Sequence, residues 1–286
     1  MSAPSSTKMW ALRFALLVVV LAAGVTWSSG REPAALRVWF ADVGQGDGII
    51  LRTPSRDTIV VDGGVHQDFV QEVDSHIPIN DRAIDLLVAT HADADHITGL
   101  VGVVESGRVA NALINRDAMK QTKIYQRLLT ALEKYHVNVI EAQAGQGYTF
   151  GDVRVQVLWP TIEGLAHAKE SNEKSIVLRV SYGSQDILLT GDAPDTAEKQ
   201  LLEQGSNVAA EVLKVGHHGS KYSTTEAFLT SVHPNIAVVS VGAKNRYGHP
   251  AARVLELLEK QGIQIFRTDL LGDVLVECSV TQCQVR

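Results

Sequence analysis

The sequence predicts an α/β protein in which two mixed β-sheets lie face to face, with helices on both outer sides, as a four-layer αββα sandwich. The first observation is that strand-like apolar segments fall into two blocks along the chain, and each block also contains segments with the apolar spacing of helices. The second is that clusters of histidine and aspartate directly follow several apolar segments. Rigid strands that end in polar loops are typical of an enzyme site at a sheet edge.

Composition limits the class of protein. The chain has 286 residues, of which 45% are hydrophobic and 20% are charged, so we expect one catalytic domain over residues 31–286. The formal net charge of −6 argues against a broad electropositive surface that holds duplex nucleic acid. Four basic residues near the later motifs either contact a polyanionic substrate or are ordinary surface charges: Lys214, Lys221, Lys244 and Arg246.

The first 30 residues have the layout of a secretory signal. Lys8 and Arg13 precede an uncharged apolar run over residues 14–25, and small polar residues follow at positions 28–30. The run is shorter than the roughly 20 apolar residues that a spanning helix needs. Residues 1–30 are therefore predicted to be a cleaved signal peptide or, alternatively, an N-terminal membrane anchor. Both alternatives place the domain outside the cytoplasm, where it is periplasmic, extracellular or membrane-anchored.

Cys278 and Cys283 are the only cysteines. In an exported protein their spacing predicts a disulfide that closes a hairpin, whereas in a cytoplasmic protein they would be free thiols. Because neither cysteine lies near the histidine and aspartate clusters in sequence, we exclude both as metal ligands.

The first block contains a meander of strands with a turn over residues 53–57. Its predicted strands are residues 36–43, 48–53, 57–61, 84–90 and 137–140. Apolar residues at helical spacing predict a helix over residues 121–136.

The second block alternates strands and helices. Its predicted strands are residues 153–159, 176–180, 186–190, 212–215, 236–241 and 273–277. Its predicted helices are residues 197–204, 225–232 and 251–261. The last of these is preceded by Pro250 and ends at Gly262.

The segment from His91 to His96 holds two imidazoles and two carboxylates directly after an apolar strand. Such a cluster is typical of a metal site. We expect a tight loop that directs His91 and Asp93 to one cation, and Asp95 and His96 to another. Asp192 follows the strand over residues 186–190 and is predicted to bridge the two cations. Two cations about 3.5–4 Å apart can hold a hydroxide between them for attack on an electrophile.

Two further segments are expected near this site. Asp62, which follows a strand, either orients the ligand loop through a hydrogen bond or belongs to a simple strand-ending turn. Residues 42–47, which begin at Asp42, form a glycine-rich turn between two strands. Their glycines also allow close approach to the metal centre or substrate, where Asp47 rather than Gln45 is expected to make contact.

Six motifs together carry a family resemblance: residues 42–47, 62–64, 91–96, 190–192, 217–220 and 248–250. In this order they resemble the metallo-β-lactamase-like domain of the DNA-uptake protein ComEC, over about residues 36–278. The resemblance implies the metallo-β-lactamase fold and a hydrolase with two divalent metal ions. It assigns His91 and Asp93 to the first metal, Asp95, His96 and His249 to the second, and Asp192 to a position between them.

The resemblance also implies catalytic roles. His217 and His218 would act near the substrate, as a proton donor to a leaving oxygen or as a phosphate contact, although one of them could instead complete a coordination shell. With Asp95 they are the candidate catalytic residues. Residues expected to support ligands or touch substrate are Asp42, Asp47, Asp62, Asn172, Ser220 and Lys221.

Two departures from the wider superfamily bear on the metal. Asp93 stands where a second histidine is usual, and ahead of Asp192 the chain offers Asn172 and Ser175 instead of an imidazole. His167 could fill that gap but is expected on a loop or helix surface. The first site is thus oxygen-rich, which favours Mn²⁺ or Mg²⁺ there over Zn²⁺. No organic cofactor is indicated.

The expected function is a phosphodiesterase or nuclease that cleaves single-stranded or fragmented DNA, in the setting of DNA uptake and alongside a membrane uptake channel. One alternative is a small-molecule esterase or lactonase that uses the same hydroxide, and another is a non-catalytic binding module. Tyr222 and Tyr247 lie beside the later motifs and either stack on bases or pack on their loops. The oligomeric state does not follow from the sequence.

Overall fold

The computed structural model describes residues 35–116 and 122–286. Their strands form one sheet of eight and one of seven strands, and helices cover both outer faces. The predicted αββα sandwich is therefore confirmed. The predicted leader over residues 1–30 lies outside the described residues. Within the described part of the chain, no helix is both long enough and apolar enough to cross a membrane.

The first sheet contains strands from both ends of the domain. These strands are β1 (Leu36–Phe40), β2 (Gly48–Arg52), β3 (Thr58–Gly63), β4 (Leu86–Ala89), β5 (Asn111–Ile114), β6 (Asn138–Glu141), β14 (Val274–Cys278) and β15 (Cys283–Val285). Their spatial order is β15-β14-β1-β2-β3-β4-β5-β6, in which β3 to β6 run parallel and the other pairs are antiparallel.

The second sheet consists of the strands between these two groups. They are β7 (Gly147–Phe150), β8 (Val153–Trp159), β9 (Val177–Tyr182), β10 (Gln185–Leu189), β11 (Val212–Lys214), β12 (Ile236–Val239) and β13 (Gln264–Arg267). β10 to β13 are parallel neighbours, whereas β7 to β10 pair antiparallel. Both sheets are therefore mixed.

The helices pack on the outer faces. In the described residues they are α1 (Phe69–His76), α2 (Ala94–Glu105), α3 (Lys123–Lys134), α4 (Ile162–His167), α5 (Asp195–Glu203), α6 (Glu226–Val232), α7 (Ala252–Lys260) and α8 (Thr268–Leu271). Helices α1 to α3 bury apolar side chains against the first sheet, and α5 to α7 against the second. The predicted helices over residues 121–136, 197–204, 225–232 and 251–261 correspond to α3, α5, α6 and α7.

The main core lies between the two sheets. Alternate residues of β1, such as Val38 and Phe40, pack there with Val155 of β8 and Leu178 of β9. Strand alternation thus directs one face of each sheet inward. Burial of this apolar surface holds the sheets together, because removing apolar area from water is worth roughly 25 cal/mol per Å².

Cys278 and Cys283 form a disulfide between the paired strands β14 and β15. The predicted hairpin-closing disulfide is confirmed. The predicted turn over residues 53–57 is also present, between β2 and β3.

Candidate metal centre

The candidate site lies where the parallel strands of both sheets end. Asp62 is the second-to-last residue of β3. His91 comes two residues after β4, and Asp192 comes three residues after β10. His217 and His218 follow β11 in the same way. Because the carboxyl ends of parallel strands lie at one edge of a sheet, these polar side chains from distant parts of the sequence meet.

Asp192 is at the centre of this cluster. Its Oδ2 atom lies 3.3 Å from Nε2 of His96, 3.5 Å from Nε2 of His218, 3.7 Å from Nε2 of His217 and 3.8 Å from Nε2 of His91. Its backbone N–H donates to the hydroxyl of the buried Ser175 at 3.0 Å, which fixes the loop after β10. One carboxylate oxygen thus faces four imidazole nitrogens.

The other ring nitrogen of each buried histidine is occupied by the protein. Nδ1 of His96 lies 2.7 Å from the carboxylate of Asp62, and Nδ1 of His218 lies 2.9 Å from the carbonyl of Ser240. The Thr90 hydroxyl donates to Asp62 at 2.6 Å, so its oxygen is left to accept from Nδ1 of His91, at 3.0 Å. Each of these contacts turns the Nε2 atom toward Asp192.

The three Nε2 atoms of His91, His96 and His218 are buried and make no well-aligned hydrogen bond with the described residues. Buried polar atoms are normally satisfied, and an exception needs an explanation such as an ion. Imidazoles whose Nδ1 atoms are held by the protein are the usual metal-binding arrangement. The side chains therefore fit a divalent metal ion.

Two overlapping sets of ligand atoms could hold cations. His91, His96 and Asp192 form one set, and Asp95, His96 and His218 form the other, with the atoms of each set within 4.8 Å of one another. Further sets include the buried carboxylates of Asp47 and Asp62.

Burial and charge set the protonation of the centre. Burial opposes ionisation of Asp192, but His218 and His96 hold the pKa of its carboxyl well below the usual range. Burial, with His96 adding to it, lowers the pKa of His91 to about 3. At His96 the carboxylates of Asp192 and Asp62 outweigh burial and raise the pKa well above its usual value. The centre thus stabilises positive charge next to Asp192.

Backbone strain occurs at this centre as well as elsewhere in the described residues. Asp62, His217 and His218 have φ angles of 55°, 48° and 54°, in the left-handed region. Residues other than glycine pay about 1–2 kcal/mol each for this conformation. Such strain is typical of functional sites, where it sets the direction of a side chain.

The left-handed turn separates the two adjacent histidines. His218 is buried, with Nε2 3.8 Å from the carboxylate of Asp95 and Nδ1 facing the protein interior. His217 is 27% exposed at its side chain and lies beside the amide of Asn172, at 3.3 Å. Burial lowers the pKa of His217, which favours its neutral form.

His249 lies further out. Its ring centroid is 5.8 Å from that of His217, and the ring of Tyr247 stacks on it at 5.7 Å. It joins none of the sets of ligand atoms found among the described residues. The ligand role predicted for His249 stays a prediction.

The structure also locates the remaining predicted residues. Asp93 precedes α2, and its charge acts on His91. Asp42 is exposed and accepts a hydrogen bond from the backbone of Gly44. Ser220 is buried behind the histidine turn, and Lys221 is exposed with its ammonium over the ring of Tyr222. Asp42 and Lys221 thus lie at the surface.

Two sequence-based expectations are wrong in detail. Residues 91–96 are not entirely a loop, because α2 begins at Ala94 and places Asp95 and His96 in its first turn. Lys214 is not a surface charge, because its side chain is fully buried and its ammonium lies 2.5 Å from Asp47. Lys244 and Arg246 are exposed, and His167 is exposed on α4.

Sequence reasoning missed Thr90, Ser240 and Lys214 as parts of the site. Thr90 stands directly before His91 at a strand end, so its position was a usable signal. Ser240 contributes only its carbonyl oxygen, which no residue pattern reveals.

Comparisons with known proteins show which proteins resemble this chain. The profile of the metallo-beta-lactamase superfamily matches residues 41–243. ComE operon protein 3 of Bacillus subtilis (strain 168) is 31% identical over 250 residues, which are 82% of this chain and 32% of that protein. Competence protein ComA of Neisseria gonorrhoeae is 32% identical over 259 residues, which are 89% of this chain and 34% of that protein. The chain thus spans about a third of the length of these relatives.

Solved structures share the fold. The metallo-beta-lactamase fold protein YhfI from Bacillus subtilis has a TM-score of 0.55 at 13% identity, covering 85% of this chain and 100% of that one. CmlA, a diiron beta-hydroxylase from Streptomyces venezuelae, has a TM-score of 0.54 at 15% identity, covering 87% of this chain and 54% of that one. At these identities the likeness shows the fold alone.

Proposed function

The chain belongs to the metallo-beta-lactamase superfamily, and from this premise we propose that it is a metal-dependent phosphodiesterase that cleaves single-stranded or fragmented DNA. Members of this superfamily are mostly metal-dependent hydrolases. The observation that carries the proposal is the approach of four imidazole nitrogens to within 3.8 Å of one oxygen of Asp192. A non-catalytic binding module has no need of so many buried, converging ligand atoms.

The proposed ligands combine the two sets of atoms with what the family resemblance implies for Asp93. His91 and Asp192 of the first set, together with Asp93, whose charge acts on His91, would hold the first cation. Asp95, His96 and His218 would hold the second, with Asp192 shared. When bound, two divalent cations polarise the phosphoryl oxygens and neutralise the charge that develops in the transition state. The abundance of carboxylates favours Mn²⁺ or Mg²⁺ over Zn²⁺ at the first position.

The residues at the opening would handle the substrate. His217 is half-buried beside Asn172 and in reach of solvent, so a phosphodiester can approach it from outside. Because burial lowers its pKa, His217 is neutral at neutral pH and suits contact with a phosphate oxygen or acceptance of a proton.

The surface around the opening supports a single-stranded substrate. Tyr247 is 69% exposed and Tyr222 is 60% exposed, so neither ring is simply packed on its loop. Lys221, Lys244 and Arg246 are exposed in the same segments. Exposed aromatic rings stack on unpaired bases, and nearby cations track the backbone. The net charge of −6 argues against duplex as the main substrate.

The setting of the activity is part of the proposal. The name of one relative, Competence protein ComA, refers to competence, so we place this domain in DNA uptake, next to a membrane channel. The leader-like residues 1–30 and the disulfide between Cys278 and Cys283 support a location outside the cytoplasm, since disulfides persist in oxidising compartments.

The test is a cleavage assay with the full chain and Mn²⁺, Mg²⁺ or Zn²⁺. The substrates are a fluorescent single-stranded oligonucleotide, the matching duplex, bis(p-nitrophenyl) phosphate and a lactone. We expect cleavage of the single strand and of the small phosphodiester with Mn²⁺ or Mg²⁺, and none with EDTA. Hydrolysis of the lactone alone would replace the proposal by the esterase alternative. A folded, metal-loaded protein that cleaves no phosphodiester would refute it.

Replacing Tyr247 by alanine is expected to raise the KM for the oligonucleotide by roughly tenfold, because stacking on one base is worth about 1–3 kcal/mol. Hydrolysis of bis(p-nitrophenyl) phosphate, which has no nucleobase, should stay within about twofold. Steady-state kinetics on both substrates measures the difference. Tyr247→Phe keeps the ring and should keep the KM. An equal loss on both substrates would show that Tyr247 acts through His249, on which it stacks.

A further inference from the structure

Lys214 is a fully buried lysine inside the candidate metal centre. Its Nζ atom lies 2.5 Å from Oδ2 of Asp47 and 4.0 Å from Oδ1 of Asp192, and it donates to the carbonyl of Gly191 at 3.0 Å. A lysine is almost never fully buried unless it is paired. The ammonium is therefore part of how the centre is built.

The position of Lys214 follows from strand geometry. Lys214 is the last residue of β11 and points to the same side as Val212, which packs in the core between the sheets. Asp47 directly precedes β2 in the opposite sheet. The ion pair thus crosses from one sheet to the other at the edge where the histidines meet.

Asp47 faces His218 with its other oxygen. Its Oδ1 atom lies 3.4 Å from Nδ1 of His218, the same nitrogen that lies 2.9 Å from the carbonyl of Ser240. Nε2 of His218 then points at Asp192 and Asp95. Two contacts thus link the three side chains: the ammonium of Lys214 lies 2.5 Å from the carboxylate of Asp47, and that carboxylate lies 3.4 Å from the imidazole of His218.

We propose that Lys214 is a positioning residue, whose ammonium holds the carboxylate of Asp47 in place so that Asp47 orients the ring of His218 toward the metal position. In this role Lys214 acts through Asp47, with which it pairs. The role belongs to the chain's own geometry and does not depend on which substrate the centre hydrolyses.

The energetics support a geometrical role. A buried ion pair adds little net stability, because the desolvation of both charges offsets their attraction, and an apolar pair of similar volume is often as stable. Removing one partner alone is strongly destabilising, because it leaves the other charge buried and unpaired. In the centre, groups that orient the metal ligands commonly change metal affinity by 10–100-fold when they are lost.

The thermal test uses the metal-free full chain with Lys214→Met, Asp47→Asn and the double variant. Each single variant should lower the Tm by roughly 10 °C, since the remaining buried charge loses its nearest opposite charge. The double variant buries neither charge and should be more stable than either single variant. Lys199→Met removes an exposed lysine of α5 and should leave the Tm unchanged. If the Tm of the double variant fell by the sum of the two single losses, the ion pair between Lys214 and Asp47 would be contradicted.

The metal test titrates Mn²⁺ into the same proteins by calorimetry. Each single variant should lose roughly tenfold in affinity, and the double variant should lose about the same tenfold, because both residues act through one imidazole. Losses that multiply to about a hundredfold, or Mn²⁺ binding by Lys214→Met that is unchanged or tighter, would overturn the positioning role. A wild-type protein that binds no Mn²⁺ would contradict the metal centre, whereas the thermal cycle would still decide on the ion pair.

Discussion

Replacing Asp192 by asparagine is expected to reduce phosphodiester hydrolysis by roughly 10³-fold or more, which makes it one of the two largest effects in this protein. The reason is its central position, because a single oxygen of Asp192 faces the imidazoles of four histidines. Asparagine keeps the size of the side chain but removes the negative charge that both cations share. Initial rates with saturating Mn²⁺, and Mn²⁺ bound per chain, measure the loss.

Asp186→Asn is a matched control for this variant. Asp186 lies on the same strand, β10, and pairs with Arg179 at 2.6 Å away from the histidine cluster. Its replacement should leave hydrolysis and Mn²⁺ binding within about twofold, because partly exposed ion pairs contribute little. Asp192→Asn that retained wild-type rates would remove the basis for the whole centre. An equal loss in Asp186→Asn would point to unfolding instead of lost chemistry.

The fold was predictable because its long elements have clear periodicity. The alternation over residues 153–159 matches β8 in full, and the helical spacing that predicted residues 121–136 matches α3. The strands β5, β7, β13 and β15 were missed, and each has four residues or fewer. Strands as short as these were predicted only in part, at β4, β6, β11 and β12. Strands this short carry too few residues to show a period, and their neighbours in the sheet stabilise them.

The helix α2 was missed for a different reason. It begins inside the motif at Ala94, where the sequence reads as a polar loop. Gly46 approaches this first turn so closely that a Cβ atom there would lie 2.0 Å from the carbonyl oxygen of Asp95. This contact between two distant segments explains Gly46, for which the sequence offered a turn or a close approach to the metal centre or substrate.

The residues of the candidate site that follow strands could be predicted from the sequence. Those that depend on a contact between distant parts of the chain could not. His91, Asp95, His96 and Asp192 come together as expected from strand ends. For Lys214 the sequence offered a contact to a polyanionic substrate or a surface charge, because the three residues of β11 show no alternation from which its inward direction could be read. Its partner Asp47 comes from the other sheet, and that proximity exists only in the folded chain.

Adjacent histidines cannot be told apart by spacing, and backbone conformation separates them here. His217 and His218 are consecutive left-handed residues, so their side chains leave the turn in different directions. The ring centroids lie 6.0 Å apart at an interplanar angle of 75°. Burial of His218 and exposure of His217 then give the two rings different surroundings, which assigns them different roles in the proposed reaction.

His218→Asn and His217→Asn are therefore expected to fail in different ways. His218→Asn removes a buried nitrogen that faces Asp95 and Asp192, so Mn²⁺ affinity should fall by roughly 10–100-fold, with the rate falling too. His217→Asn should leave Mn²⁺ affinity within about threefold but lower kcat by roughly 10²-fold, because positioned acid–base groups contribute at least that much. Calorimetric titration and saturating-metal kinetics separate the two. If His217→Asn lost the metal and His218→Asn kept it, the roles would be exchanged, with His217 as the ligand and the buried ring of His218 supporting the turn.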